Sequence, residues 1–200
     1  MPATAVQTRN FTDPAGYGAR LLGFAQFDPA LGALGGIRLG LTASVSGSLA
    51  VESLEAASFT VGYTSAAFLS VFAPDSTPLA QLVAPAYGAA TLVAYDGTVD
   101  FAGPSGITLA VTGSASSSTT LPAGGSIANA PFIGTGTVSL PVGDYALNSI
   151  AGPANMRVLA SAAAAGTATL AYDYTPGLPG GSYQVSLIRT CLPTRAVRWT

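Results

Sequence analysis

From Ile37 to Val51 the chain alternates apolar and small or polar residues without a break in parity. The odd positions read Ile37, Leu39, Leu41, Ala43, Val45, Gly47, Leu49 and Val51. The even ones read Arg38, Gly40, Thr42, Ser44, Ser46, Ser48, Ala50 and Glu52. Successive side chains of a strand point to opposite faces, so this pattern predicts a β-strand with one buried face. At about 3.3 Å per residue it would span about 50 Å, longer than an ordinary strand. A bend or break near Ser46-Gly47-Ser48 is therefore expected, with parity kept across the corner.

The same period recurs in Phe59-Val61-Tyr63, Val93-Tyr95 with Val99-Phe101, Ile107-Leu109-Val111 and Val138-Leu140-Val142. It returns in Met156-Val158-Ala160, Ala168-Leu170-Tyr172-Tyr174 and Tyr183-Val185-Leu187. Breakers punctuate these runs: Asp28-Pro29, Pro74-Asp75, Asp96-Gly97, Gly103-Pro104, Gly124-Gly125 and Gly152-Pro153. Short strands so spaced predict an all-β chain, a single antiparallel β-sandwich of jelly-roll or immunoglobulin-like type with eight to ten strands and terminal arms. Helix is scarce. Ser65–Phe72 could form about one helical turn, and Ser161–Ala165 reads as a short helix or a bend between strands. The Ser/Thr-rich stretch Gly113–Thr120 reads as a long loop. Residues 1–176 form the sandwich domain with its N-terminal segment. After Pro176-Gly177-Leu178-Pro179-Gly180-Gly181 the chain alternates less and carries arginine, so 177–200 read as a C-terminal arm or a last strand.

Charge excludes more than it supplies. Nine acids and seven arginines make up 8 % of the 200 residues, with no lysine and no histidine. A compact monomer of this mass exposes roughly 8,600 Å², so each charge has about 540 Å² of surface to itself, against roughly 170 Å² at average charge density. Such a surface is covered by Ser, Thr, Gly, Ala and backbone, or buried against neighbours. Without histidine no Ser-His or Cys-His pair can form, and without lysine no Schiff base or phosphate-loop lysine. The net charge of −2 attracts no nucleic acid. Cys191 is alone, so no intrachain disulfide holds the fold. No apolar run reaches the roughly 18 residues of a membrane helix, and the opening Met1–Arg9 lacks the basic and apolar regions of a signal peptide. The composition points to a non-enzymatic structural or binding protein without cofactors.

Several stretches resemble the bacterial choice-of-anchor E domain. They are Val6-Gln7-Thr8-Arg9-Asn10-Phe11-Thr12, Phe27-Asp28-Pro29-Ala30-Leu31-Gly32-Ala33-Leu34, and the run Tyr95-Asp96-Gly97-Thr98-Val99-Asp100-Phe101-Ala102-Gly103-Pro104-Ser105-Gly106. Phe132-Ile133-Gly134-Thr135-Gly136-Thr137-Val138 and Leu170-Ala171-Tyr172-Asp173-Tyr174-Thr175-Pro176 complete them. The resemblance covers about residues 5–176. It implies a non-catalytic, exported surface or matrix domain, commonly followed by a sorting anchor. Here Gly177–Thr200 holds no apolar run of membrane length, so the chain is expected to lack leader and anchor.

Candidate sites are few. Asp96 and Asp100 flank Gly97 and could hold Ca²⁺, but a calcium loop needs more oxygens in register, and the stretch reads first as an Asp-Gly turn between paired strands; no metal is expected. Glu52 and Glu55 fall on opposite sides of a regular strand, so a paired-carboxylate site would need Asp75 or Asp144 brought to them. Tyr63, Tyr87, Tyr95, Tyr172, Tyr174 and Tyr183 could line a carbohydrate platform or pack across strands. Asn10-Phe11-Thr12 fits the glycosylation sequon, a triplet common by chance. Tyr183, Val185, Leu187, Arg189, Arg195, Arg198 and Trp199 are the candidate interface, an arm that adds a strand to a neighbouring sheet edge. The expected partners are copies of the chain or a shell protein, giving a homo-oligomer without membrane insertion. The function read from the sequence is a structural subunit, in concrete terms a phage virion surface or capsid-decoration protein. An exported cell-surface or extracellular-matrix domain is the alternative, and a carbohydrate-binding module the third.

Overall fold

The computed structural model describes residues 4–13, 17–124 and 129–177. Eight strands run in chain order: β1 (Gln7–Asp13), β2 (Tyr17–Ala25), β3 (Gly32–Ser53), β4 (Phe59–Phe72), β5 (Pro78–Leu92), β6 (Gly106–Pro122), β7 (Thr137–Ala151) and β8 (Met156–Pro176). Two 3₁₀ turns, Pro29–Leu31 and Ala130–Phe132, complete the elements, with no α-helix among the described residues. One sheet has the order β1-β8-β3-β6 and the other β2-β7-β4-β5, every ladder antiparallel.

That order has a simple origin. The pairs β4/β5, β3/β6, β2/β7 and β1/β8 nest one outside the next, as in a single long hairpin closed at the β4–β5 turn. Winding that ribbon around a core brings β8 beside β3 and β7 beside β4, which makes the two facing sheets of a jelly roll. Of the two sandwich types expected, the winding selects this one.

The inward face is the one that the alternation predicts. Ile37, Leu39, Leu41, Val45, Leu49 and Val51 are all buried, in one core that also takes Phe11, Phe24, Phe27, Val61, Leu69, Leu140 and Leu170. Tyr172 lies within it against Phe27, with ring centroids 5.8 Å apart. Its hydroxyl donates to the Ala25 carbonyl at 2.9 Å, and burial pushes its pKa up to about 12.

Several local expectations are corrected. β3 does not break at Ser46-Gly47-Ser48. It runs 22 residues and pairs through Gly47 with β6 on one side and β8 on the other. Gly47 serves close approach, since a Cβ there would collide with the Ser161 carbonyl oxygen. Ser65–Phe72 lies inside β4 and Ser161–Ala165 inside β8, neither helix nor bend. In β4 both parities carry apolar residues, which hides the strand period. In β8, ladders on β3 and β1 override the helix propensity of the alanine run. Gly113–Thr120 is the second half of β6, held in register against Ala115's partner Ala43 and its neighbours. Val93-Tyr95 and Val99-Phe101 are not strands; they belong to the connection between β5 and β6. Strands β1, β2 and β5 escaped the alternation reading. β5 carries Pro78 and Pro85, which a strand at the sheet edge tolerates.

Candidate assembly surfaces

The two sheets turn different faces outward. On the β1-β8-β3-β6 sheet the register builds rows of short polar side chains across all four strands. Asn10, Thr167, Thr42 and Ser116 form one row, and Thr12, Ala165, Ser44 and Ser114 the next. The Thr167 hydroxyl donates to Asn10 Oδ1 at 3.0 Å. Open, shallow grooves lie between these rows. The charged side chains at this face are few, and Arg38 pairs with Asp173 at 3.1 Å. This is the Ser/Thr-covered surface that the scarcity of charge predicted.

The β2-β7-β4-β5 sheet presents apolar side chains over its middle rows instead, with Thr60, Thr64, Thr91 and Ser149 toward one end. Tyr17, Tyr145, Phe68 and Val83 stand directly opposite one another in one row across the four strands. Phe68 and Tyr145 stack with centroids 4.6 Å apart and planes 8° from parallel. Leu147, Ala66 and Pro85 make the row on one side, and Tyr87 stands one row further. Tyr17 is 73 % exposed, Leu147 56 % and Tyr87 71 %. No outward position of this sheet carries a charge; the described acids and arginines lie in loops, inside, or at the other sheet.

The charged and polar clusters are occupied with holding the fold. Arg20 of β2 donates to Asp13 of β1 at 2.6 Å and to Asp144 of β7 at 3.2 Å, so one guanidinium ties the two sheets together. It also lies over the Phe11 ring, 5.1 Å from its centroid. Asp144 is buried, and that desolvation raises its pKa against the opposing pull of Arg20. Along the same flank Arg9 Nε donates to the Gly23 carbonyl at 2.7 Å, and Gln7 binds both the N–H and the carbonyl of Ala25. These side chains bridge β1 to β2, where no ladder joins the sheets. Glu52, at the end of β3, is buried and accepts from the Phe101 N–H at 2.6 Å and the Ser105 hydroxyl at 2.7 Å. It anchors the long β5–β6 connection from below.

The sequence candidates scatter accordingly. Asp96 and Asp100 each accept a bond from an amide two residues on, Thr98 N–H at 3.0 Å and Ala102 N–H at 2.9 Å. They shape turns within one loop, and the expected Asp-Gly turn between paired strands is not formed. Among the described residues no group of three His, Cys, Asp or Glu side chains could hold a metal ion. Glu55 lies beyond the end of β3, Asp75 caps its own turn through the Thr77 N–H at 3.0 Å, and Asp144 belongs to the Arg20 cluster. No carboxylate pair is assembled from Glu52, Glu55, Asp75 and Asp144. The tyrosines do not share a face either: Tyr63, Tyr172 and Tyr174 pack inward, Tyr95 sits in the β5–β6 connection, and Tyr87 points outward. The tyrosines that do share an outer face with Tyr87 are Tyr17 and Tyr145. Their common parity becomes visible only when β2, β7 and β5 are placed side by side. Asn10 lies on edge strand β1. The interface candidates Tyr183, Val185, Leu187, Arg189, Arg195, Arg198 and Trp199 lie outside the described residues. No described helix is long and apolar enough to cross a membrane.

No family model matches the chain, and no curated protein does. Among solved structures it is similar to that of the Gx strain of infectious bursal disease virus, at 14 % identity and a TM-score of 0.28, over 90 % of this chain and 33 % of that one. The VP2 subviral particle of the same virus matches at 11 % identity and 0.24, over 86 % and 38 %. Its T=1 particles match at 12 % and 0.22, over 86 % and 37 %. The chain thus spans little more than a third of the solved chains it matches.

Proposed function

We propose that this chain is a non-catalytic structural subunit that assembles with copies of itself or with a shell protein, in concrete terms a virion surface or capsid-decoration protein of a phage. The observation that carries the reading is the distribution of charge. A jelly roll turns one uncharged face with apolar middle rows and one Ser/Thr face outward, and its described charged clusters, Arg20 with Asp13 and Asp144 and Glu52 with the β5–β6 connection, hold strands and loops. Large exposed apolar patches mark interaction surfaces in soluble proteins. The virion reading adds an analogy at the level of architecture, since double-sheet jelly rolls build viral shells, although lectins and cupins share them. Light scattering on the full chain tests the proposal. A discrete assembly with a mass that is a multiple of 19.8 kDa is expected. A monomer at every concentration overturns self-assembly, and a monomer that also fails to bind phage particles overturns the whole reading.

A further inference from the structure

We infer that the outer face of the β2-β7-β4-β5 sheet packs against the same face of a second copy, about a two-fold axis lying between the row Tyr17–Tyr145–Phe68–Val83 and the neighbouring row Ala19–Gly143–Ser70–Gln81. The inference rests on the assembly reading above and names its surface and its partner.

Three observations choose a second copy as the occupant. The first is size. The whole outer face of the four strands, 9, 15, 14 and 15 residues long, covers roughly 800 Å² at about 3.3 Å per residue and 4.8 Å between strands, so a contact over the apolar middle rows with the Thr60–Thr91 end as its polar rim approaches the area each partner gives to a stable protein interface. The second is charge. A face laid on itself about a two-fold axis brings like against like, so any charge near the axis meets its own image. This face has no charged side chain to repel its copy, and none to select an acidic or basic partner.

The third is relief. Beside the ring-bearing row lies the row Ala19–Gly143–Ser70–Gln81, three of whose members are small. The two rows are about 6.7 Å apart, two residues along the strand. A copy shifted by one row seats its rings over those small side chains, at the roughly 10 Å separation of packed sheets. The opposite sheet offers no such gain. Burying its Ser and Thr hydroxyls would cost free energy unless each found a partner.

The test is sedimentation equilibrium on the full chain and on Leu147→Arg and Tyr17→Arg, with Thr42→Arg on the opposite sheet as control. Leu147 and Tyr17 are exposed, so both variants are expected to keep the wild-type melting temperature. The wild type and the Thr42→Arg control are expected to associate, while each face variant weakens association by about 100-fold or more, as loss of a buried anchor does. Association at wild-type strength by both face variants overturns the inference and leaves the assembly reading standing. A wild type that stays monomeric overturns the inference and leaves only the shell-binding form of the assembly reading, and a monomer that a soluble polysaccharide retards through Tyr17 assigns the rings to sugar instead. Should Leu147→Arg melt early, Tyr17→Ser at the edge strand supplies the same comparison.

Discussion

The Ser105 hydroxyl donates to Glu52 Oε1 at 2.7 Å, and neither residue has any solvent exposure. Glu52 occupies an outward position of β3 by parity, yet the β5–β6 connection covers it. Its other oxygen accepts the Phe101 N–H, and Phe101 holds a positive φ of 57°. A side chain that the alternation assigns to solvent is thus the buried anchor of a loop. Replacing Glu52 by Ala leaves a half-buried N–H and a buried hydroxyl without acceptors, which is expected to cost about 2–4 kcal/mol. Glu52→Gln keeps one acceptor oxygen and is expected to lose less. Urea unfolding of the two variants ranks them, and equal losses would show that the carboxylate is not the anchor.

Leu41 faces the core with 2 % exposure. Leu41→Asp places an uncompensated carboxylate there, at a cost of several kcal/mol against a total stability of about 5–15 kcal/mol. Circular dichroism is expected to show loss of the cooperative melt. A soluble variant that melts like the wild type would mean that the other face of β3 is the buried one.

Gly47 gives a test of the close packing of β3 on β8. In Gly47→Val the new side chain meets the Ser161 main chain, and backbone of a central strand yields little. A loss of about 1–3 kcal/mol is expected. A variant of unchanged stability would mean that β8 does not approach Gly47 this closely.

The Asp144 carboxyl is raised above the ordinary value of 3.8, chiefly because burial disfavours its charged form. Its contribution therefore runs opposite to that of a stabilising ion pair. It is fully present below pH 3.8, where the carboxyl is protonated folded and unfolded alike, and is lost as pH rises through the higher native value. Asp144→Asn cannot ionise. Its stability relative to the wild type is expected to improve as pH rises through that window, and denaturant midpoints read across it check the sign.

Asp96 and Asp100 each spend one carboxylate oxygen on an amide of their own loop. Added chelator is expected to leave the melting temperature unchanged. A fall of about ten degrees, several times the shift from losing 1 kcal/mol in a domain of this size, would make them calcium ligands.

Where one parity is apolar and the other is not, burial of a single face is the only arrangement that keeps hydrocarbon from water. Ile37–Val51 therefore disclosed its strand, its inward face and the all-β class directly, and the scarcity of charge disclosed a Ser/Thr surface. Parity says nothing about which strand lies beside which. Ser65–Phe72 is apolar at both parities, Gly113–Thr120 is polar at both, and Ser161–Ala165 favours helix by composition; each became a strand because ladders on neighbouring strands satisfied its backbone. The winding that pairs β1 with β8 and β2 with β7 also set Tyr17 beside Tyr145, 128 positions apart in the chain. Strand direction and side-chain period are local properties, written in a few consecutive residues. Adjacency across a sheet is a global one, fixed only when the whole ribbon closes around a shared core, and it decided where Glu52 and Phe68 ended up.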